Sequence, residues 1–141
     1  MSKKFRVEKL ADGITLYLGD CRDVLPTLGN IDAIVTDPPY GVELKERTNK
    51  DSKREATVTY EDGSDFVKTE IIPRVALALK LATCASITPG TRSIFQYPEA
   101  AELGCVFFPN GTGRGRWGFT CFNPILFYGP DPYLANGLGA R

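Results

Sequence analysis

The residues best suited to chemistry stand together at Asp37-Pro38-Pro39-Tyr40, directly after the apolar run Ile31-Asp32-Ala33-Ile34-Val35-Thr36. They supply a carboxylate, a stiffened backbone carbonyl and an aromatic face. A flat heteroaromatic ring bearing an amino group is the natural guest of such a set. The lone pair of that nitrogen is delocalised into the ring, so it attacks poorly until its tetrahedral form is favoured. Acceptors at Asp37 and at the carbonyl of Pro38 would take the two amino hydrogens and favour that form. Acceptors fixed where positive charge develops are commonly the largest contribution to catalysis. Two successive prolines restrict φ and remove two backbone donors, so no N–H of Pro39 competes beside that carbonyl.

Tyr40 would stack on a base turned out of its duplex, the usual way of reaching base atoms for chemistry. Such stacking is worth about 1–3 kcal/mol per base. Two plainer readings of the tetrapeptide exist. Asp, Pro and Gly all favour turns, so Asp37 to Gly41 also reads as a turn after a strand. A proline-rich ligand for a WW-type domain fits less well, because those ligands space the tyrosine further from the prolines.

Elements must carry these groups. Ile14 to Leu18 reads as a strand, Gly19-Asp20 as a turn, and Cys21 to Leu28 as helical, with Asp20 as its cap and Asp23 completing a box-like cap. Ile31 to Thr36 reads as the next strand. The expectation is a β-α-β unit with parallel strands, and ligands of open α/β sheets sit beyond the carboxyl ends of the strands. Asp20 and Asp37 are thereby expected on one rim.

From Gly41 to Gly63 the chain turns polar, and Lys45, Arg47, Lys50, Lys53 and Arg54 are candidate phosphate contacts beside the tetrapeptide. A solvated loop of nearly balanced charge is the equal alternative. A long helix is expected from Ser64 or Asp65 to about Cys84, kinked at Pro73. A turn at Pro89-Gly90, a strand from Ser93 to Tyr97 and a short helix from Pro98 to Leu103 follow. Cys105 to Phe108, Trp117 to Phe122 and Ile125 to Tyr128 read as strands. Between the first two, Arg114 and Arg116 sit in a glycine-rich hairpin and are further candidate DNA contacts. Gly129 to Arg141 reads as having little regular structure.

The chain has 141 residues and no net charge, the balance of an ordinary globular domain without the basic excess of many nucleic-acid binders. It has no histidine, which excludes histidine-based nucleophilic and acid–base schemes. Cys21, Cys84, Cys105 and Cys121 lack the close spacing that chelates zinc, so no metal is expected. No apolar run is long enough to span a bilayer and no secretory signal is evident, giving the expectation of a cytoplasmic protein without a membrane partner.

Taken together, Leu18-Gly19-Asp20-Cys21 through Val24-Leu25 and Thr36-Asp37-Pro38-Pro39-Tyr40-Gly41 resemble the permuted (beta) class of DNA amino-methyltransferases, of phage or prophage type. Phe122-Asn123-Pro124-Ile125-Leu126-Phe127-Tyr128-Gly129 is similar in style to phage members. The resemblance implies an α/β fold: a partial Rossmann-like methyltransferase sheet with helices on its faces, in residues 1–104, followed by a β-rich segment, 105–141, leading toward target recognition. It implies S-adenosylmethionine as cofactor, with Asp20 and Cys21 in the cofactor region, and double-stranded DNA as partner. Asp37, Pro38, Pro39 and Tyr40 would then act on the flipped base, adenine N6 being favoured over cytosine N4.

The family's glycine-rich cofactor loop, of the type Asp-Pro-Phe-x-Gly-Ser-Gly, is not in this sequence. Only glycine allows so close a backbone approach. The expectation is therefore the front portion of a longer enzyme, with an exposed central sheet edge that promotes self-association. A non-catalytic remnant or DNA-interaction module and an RNA methylase remain as alternatives.

Overall fold

The computed structural model describes residues 4–42, 63–111, 113–115 and 117–138. Its first element is a hairpin. Strands β1 (Arg6–Ala11) and β2 (Ile14–Leu18) pair antiparallel, joined through Asp12-Gly13, where Gly13 takes φ +79°. An Asp-Gly pair supplies the positive φ that a tight hairpin turn needs. The rings of Phe5 and Tyr17 meet beside it at 6.0 Å.

This hairpin corrects the expected β-α-β unit. β2 spends its ladder on β1 and is not a member of the sheet that carries Asp37. The helix after it is a single turn, α1 (Cys21–Val24), followed by a 3-10 turn at Leu25–Thr27. Asp20 caps α1 as expected, accepting from the backbone N–H of Arg22. Asp23 does not complete a box; it faces Lys4 at 3.3 Å.

The main sheet is mixed and four-stranded, in the order β3 (Ile31–Thr36), β4 (Ala82–Ile87), β8 (Phe122–Tyr128), β5 (Glu102–Phe107). β3 and β4 are parallel, Ile31 opposite Ala82 and Thr36 opposite Ile87. β8 runs antiparallel to both neighbours. Strand β5 runs through residue 104 and pairs along its length with β8. Two further strands, β6 (Gly113–Gly115) and β7 (Gly118–Thr120), form the small expected hairpin.

Between β3 and β4 the chain is helical from α2 (Ser64–Phe66) through a π-helical stretch, Val67–Ile71, to α3 (Ile72–Leu79). The irregularity sits immediately before Pro73. A proline cannot donate to the ladder and its ring crowds the preceding turn, so the helix widens there. The helix stops at Leu79 rather than reaching Cys84. Ala82 to Ile87 is instead the parallel strand β4, an apolar run whose periodicity cannot separate a buried strand from a buried helix.

Two further expectations reverse. Ser93 to Tyr97 is not a strand but the helical turn α4 (Gly90–Ser93) and a 3-10 turn at Ile94–Gln96. β8 already occupies the edge of β4 where such a strand would pair, so this segment must bridge to the far side of the sheet. Pro98 to Leu103 is not a helix: the backbone N–H of Ala101 donates to Phe127, and β5 starts at Glu102. Cross-strand pairing overrides the local preference here. The tail also gains a turn, α5 (Pro132–Ala135), capped by Asp131.

The core lies under one face of the sheet. Val75 of α3, Ala85 and Ile87 of β4, Leu126 of β8 and Tyr97 pack together, with Ile34, Leu79 and Ile94 against them. Alternation along the strands points the other set of side chains to the opposite face. That face carries a groove of about 570 Å³ lined in part by Val35, Ser86, Phe127 and Tyr133. Among the described residues, no helix is long and apolar enough to cross a membrane, and no group of three or more His, Cys, Asp or Glu side chains could hold a metal ion.

Candidate functional site

The site forms where β3 and β4 end side by side. Their ladder continues one step beyond the strands, the backbone N–H of Thr88 donating to the carbonyl of Thr36 at 3.2 Å. Asp37 and Thr88, the next residues on each chain, are therefore neighbours on the carboxyl rim of the sheet. Thr88 Oγ donates to Asp37 Oδ1 at 2.5 Å. Tyr40 Oη donates to the same oxygen at 2.6 Å. Hydroxyl-to-carboxylate bonds of this length belong to the strong, charge-assisted class.

The tetrapeptide is anchored below its exposed carboxylate. Pro38 is buried, Pro39 and Tyr40 half-buried, and Asp37 exposed. Ser93 Oγ, itself buried, donates to the carbonyl of Tyr40 at 2.8 Å. The Tyr40 ring rests directly on the backbone of Gly90, which takes φ +68°; a Cβ at that position would lie 2.7 Å from Tyr40 Cγ. Only glycine meets both demands. Burial pushes the Tyr40 phenol above its ordinary value of 10.0, and the bond to Asp37 adds to the effect, so near neutral pH it is a donor.

Tyr97 closes the inner side of this corner. Burial, with lesser contributions from Tyr128, Asp37 and Tyr40, pushes its phenol up to about 12. Among the described residues its hydroxyl has no hydrogen-bond partner.

Asp20 and Cys21 follow β2, which pairs with β1 in a separate sheet, so the strand end that carries Asp20 is not one of the four-stranded sheet's own. The Asp20 carboxylate is held by the Arg22 guanidinium at 2.6 Å and approached by Arg74 at 4.0 Å. Arg74 in turn pairs with Glu70 at 2.8 Å. Hydrogen bonds from the Arg22 side chain and backbone, together with the two positive charges, hold the Asp20 carboxyl well below its ordinary 3.8. Cys21 opens α1 as a half-buried free thiol.

Lys45, Arg47, Lys50, Lys53, Arg54 and Arg116 lie outside the described residues. Arg114 lies on β6, opposite Phe119 in the ladder. Thr88, Gly90 and Ser93 are the participants that sequence reasoning missed. Their signal was present: a threonine and a Pro-Gly turn ending an apolar run, which is how a strand meets the rim of an α/β sheet.

Both Asp20 oxygens accept from Arg22, at 3.1 and 2.6 Å, and a carboxylate so engaged keeps lone pairs for further donors. Comparison with protein-family models, curated proteins and solved structures returned no match for this chain.

Two expectations follow from this geometry. Gly90→Ala should destabilise the chain by about 2 kcal/mol or more, since a non-glycine residue at positive φ costs roughly 1–2 kcal/mol before the Tyr40 clash is added. Urea unfolding measures it, and an unchanged midpoint would refute the packing. The Asp20 carboxyl is lowered in the folded chain, so its stabilising effect is full above its unfolded value and is lost as pH falls. The stability difference between the natural chain and Asp20→Asn should be constant above about pH 5 and shrink below about pH 4. A difference that stays level down to pH 3 would contradict the ion pair's role.

Proposed function

We propose that this chain carries the target-base pocket of a DNA amino-methyltransferase, with the amino group of adenine favoured over that of cytosine. The observation that carries the reading is the state of Asp37: an exposed carboxylate at a strand end, one oxygen tied by two hydroxyls, the other accepting no hydrogen bond among the described residues. Oδ2 and the Pro38 carbonyl are the two acceptors for the hydrogens of an extruded base. As they accept, positive charge on the attacking nitrogen is stabilised by groups already in place. Tyr40, backed by Gly90 on one side, offers an aromatic face to the base.

S-adenosylmethionine is the methyl source this reading requires. Duplex DNA is its partner, held through phosphate contacts by the cations named above. The parallel pair β3–β4 that delivers Asp37 to the carboxyl rim supports the reading, since ligands of open α/β sheets sit beyond such strand ends. One observation favours a second reading, a non-catalytic DNA-interaction module: the Asp20 carboxylate is already paired with Arg22 and approached by Arg74.

The edge of the sheet bears on partners as well. Among the described residues β3 is paired on one side only, and Val35 at its carboxyl end is 85% exposed. An open edge of this kind recruits another strand. Self-association through β3 is the proposed consequence.

Methyl incorporation into duplex DNA from labelled S-adenosylmethionine distinguishes the two functions. Asp37→Ala is expected to lower it by at least about a hundredfold, as loss of a positioned transition-state acceptor does. Equal turnover with and without Asp37 would sink the enzymatic reading, and incorporation absent from the natural chain would favour the module. Sedimentation should show mass rising with concentration, reduced by Val35→Lys on the edge; a concentration-independent monomer would refute self-association.

A further inference from the structure

The tetrapeptide does not hold its own geometry; the segment that follows β4 does. An exposed aspartate turns freely about its last torsion, which is broad and nearly two-fold. Left alone, Asp37 would present either oxygen to a guest and would spend part of its time pointing elsewhere. Two donors converging on one oxygen remove that freedom. Tyr40 contributes one of them from within the same loop. Thr88 contributes the other from the residue that follows the adjacent strand β4.

Thr88 is itself fixed. Its backbone N–H closes the last rung of the β3–β4 ladder on Thr36, and the following residue, Pro89, is fully buried. A β-branched side chain on such a backbone has few χ1 choices. Its hydroxyl therefore reaches Asp37 from a rigid base, at 2.5 Å.

We propose that Thr88 is a positioning residue for the target-base pocket: by engaging Asp37 Oδ1 jointly with Tyr40, it turns Oδ2 outward as the acceptor for the base amino group. This rests on the reading of the site given above. Ser93 does the matching task for the other end of the loop, holding the Tyr40 carbonyl. The connection after β4 is thus the second wall of the site, and Thr88 is its point of contact with the carboxylate.

A merely structural Thr88 would satisfy the carboxylate without affecting what Asp37 presents. Comparison of the full natural chain with Thr88→Val, close in shape but without the hydroxyl, and with Thr88→Ser, which keeps it, separates the two roles. The first readout needs no substrate. In protein carrying ¹³C-labelled aspartate, the carboxyl-carbon resonance of Asp37 should move in Thr88→Val and return in Thr88→Ser. The second readout is methyl transfer from S-adenosylmethionine to duplex DNA. There Thr88→Val should lower kcat about ten- to a hundredfold, the weight of one hydrogen bond to a charged group, with KM within about twofold. Thr88→Ser should restore kcat to within about threefold.

An Asp37 resonance unmoved by Thr88→Val overturns the proposal. So does an equal loss of kcat in the valine and serine variants, which would mark Thr88 as packing. If the natural chain transfers no methyl group while folding normally, the enzymatic reading fails by its own test. The Asp37 resonance alone then decides whether Thr88 holds the carboxylate.

Discussion

The parallel pairing of β3 with β4 is the constraint on which the rest of the structure depends. These strands lie far apart in the sequence, and nothing local brings them together. Once Ile31 lies opposite Ala82, each later residue has its partner assigned, and the ladder ends with Thr36 joined to Thr88. A slip of one residue would send Ile34 to the open face and Val35 to the core. It would also separate Asp37 from the hydroxyl that fixes it. The register that buries the core therefore also builds the site.

That register is held from one side. Val75 and Leu79 of the helix between the strands press on Ala85, Ile87 and Ile34, and Leu126 and Tyr97 complete the cluster. The helix is not regular: its π-helical stretch ends where Pro73 begins the straight part. Such a widening turns the helix face by a fraction of a turn. Here it lets Val67, wholly buried, and Val75 both face inward across the irregularity. Val67 also lies close to Gly41, just past Tyr40, so the start of the same helix supports the end of the tetrapeptide loop.

Charge is organised in two separate places. At the rim the Asp37 carboxylate is met, among the described residues, by neutral hydroxyl donors, which orient it without neutralising it. Around α1 the opposite holds, with Asp20 and Glu70 balanced against Arg22 and Arg74. An ion-pair network neutralises and anchors; a carboxylate held by hydroxyls remains available to a guest. The two aspartates that look equivalent in the sequence are thus given different work.

Local signals were enough for several features. Asp37 to Tyr40 could be recognised as a reactive set because its residue types and spacing are contiguous. The strand that delivers it, the capping role of Asp20 and the small hairpin near Arg114 are likewise short-range matters of pattern and turn chemistry. The Asp12-Gly13 turn was equally legible, yet β1 was not expected, and β2 was therefore given the wrong partner. What only the tertiary structure decided were the long-range choices: that Ala82 to Ile87 is a strand, that Ser93 to Tyr97 is helical, and that Thr88, Gly90 and Ser93 close on the tetrapeptide. An apolar run suits a buried helix and a buried strand equally well. The choice falls to whichever neighbour can complete its backbone hydrogen bonds, and here that neighbour was β3.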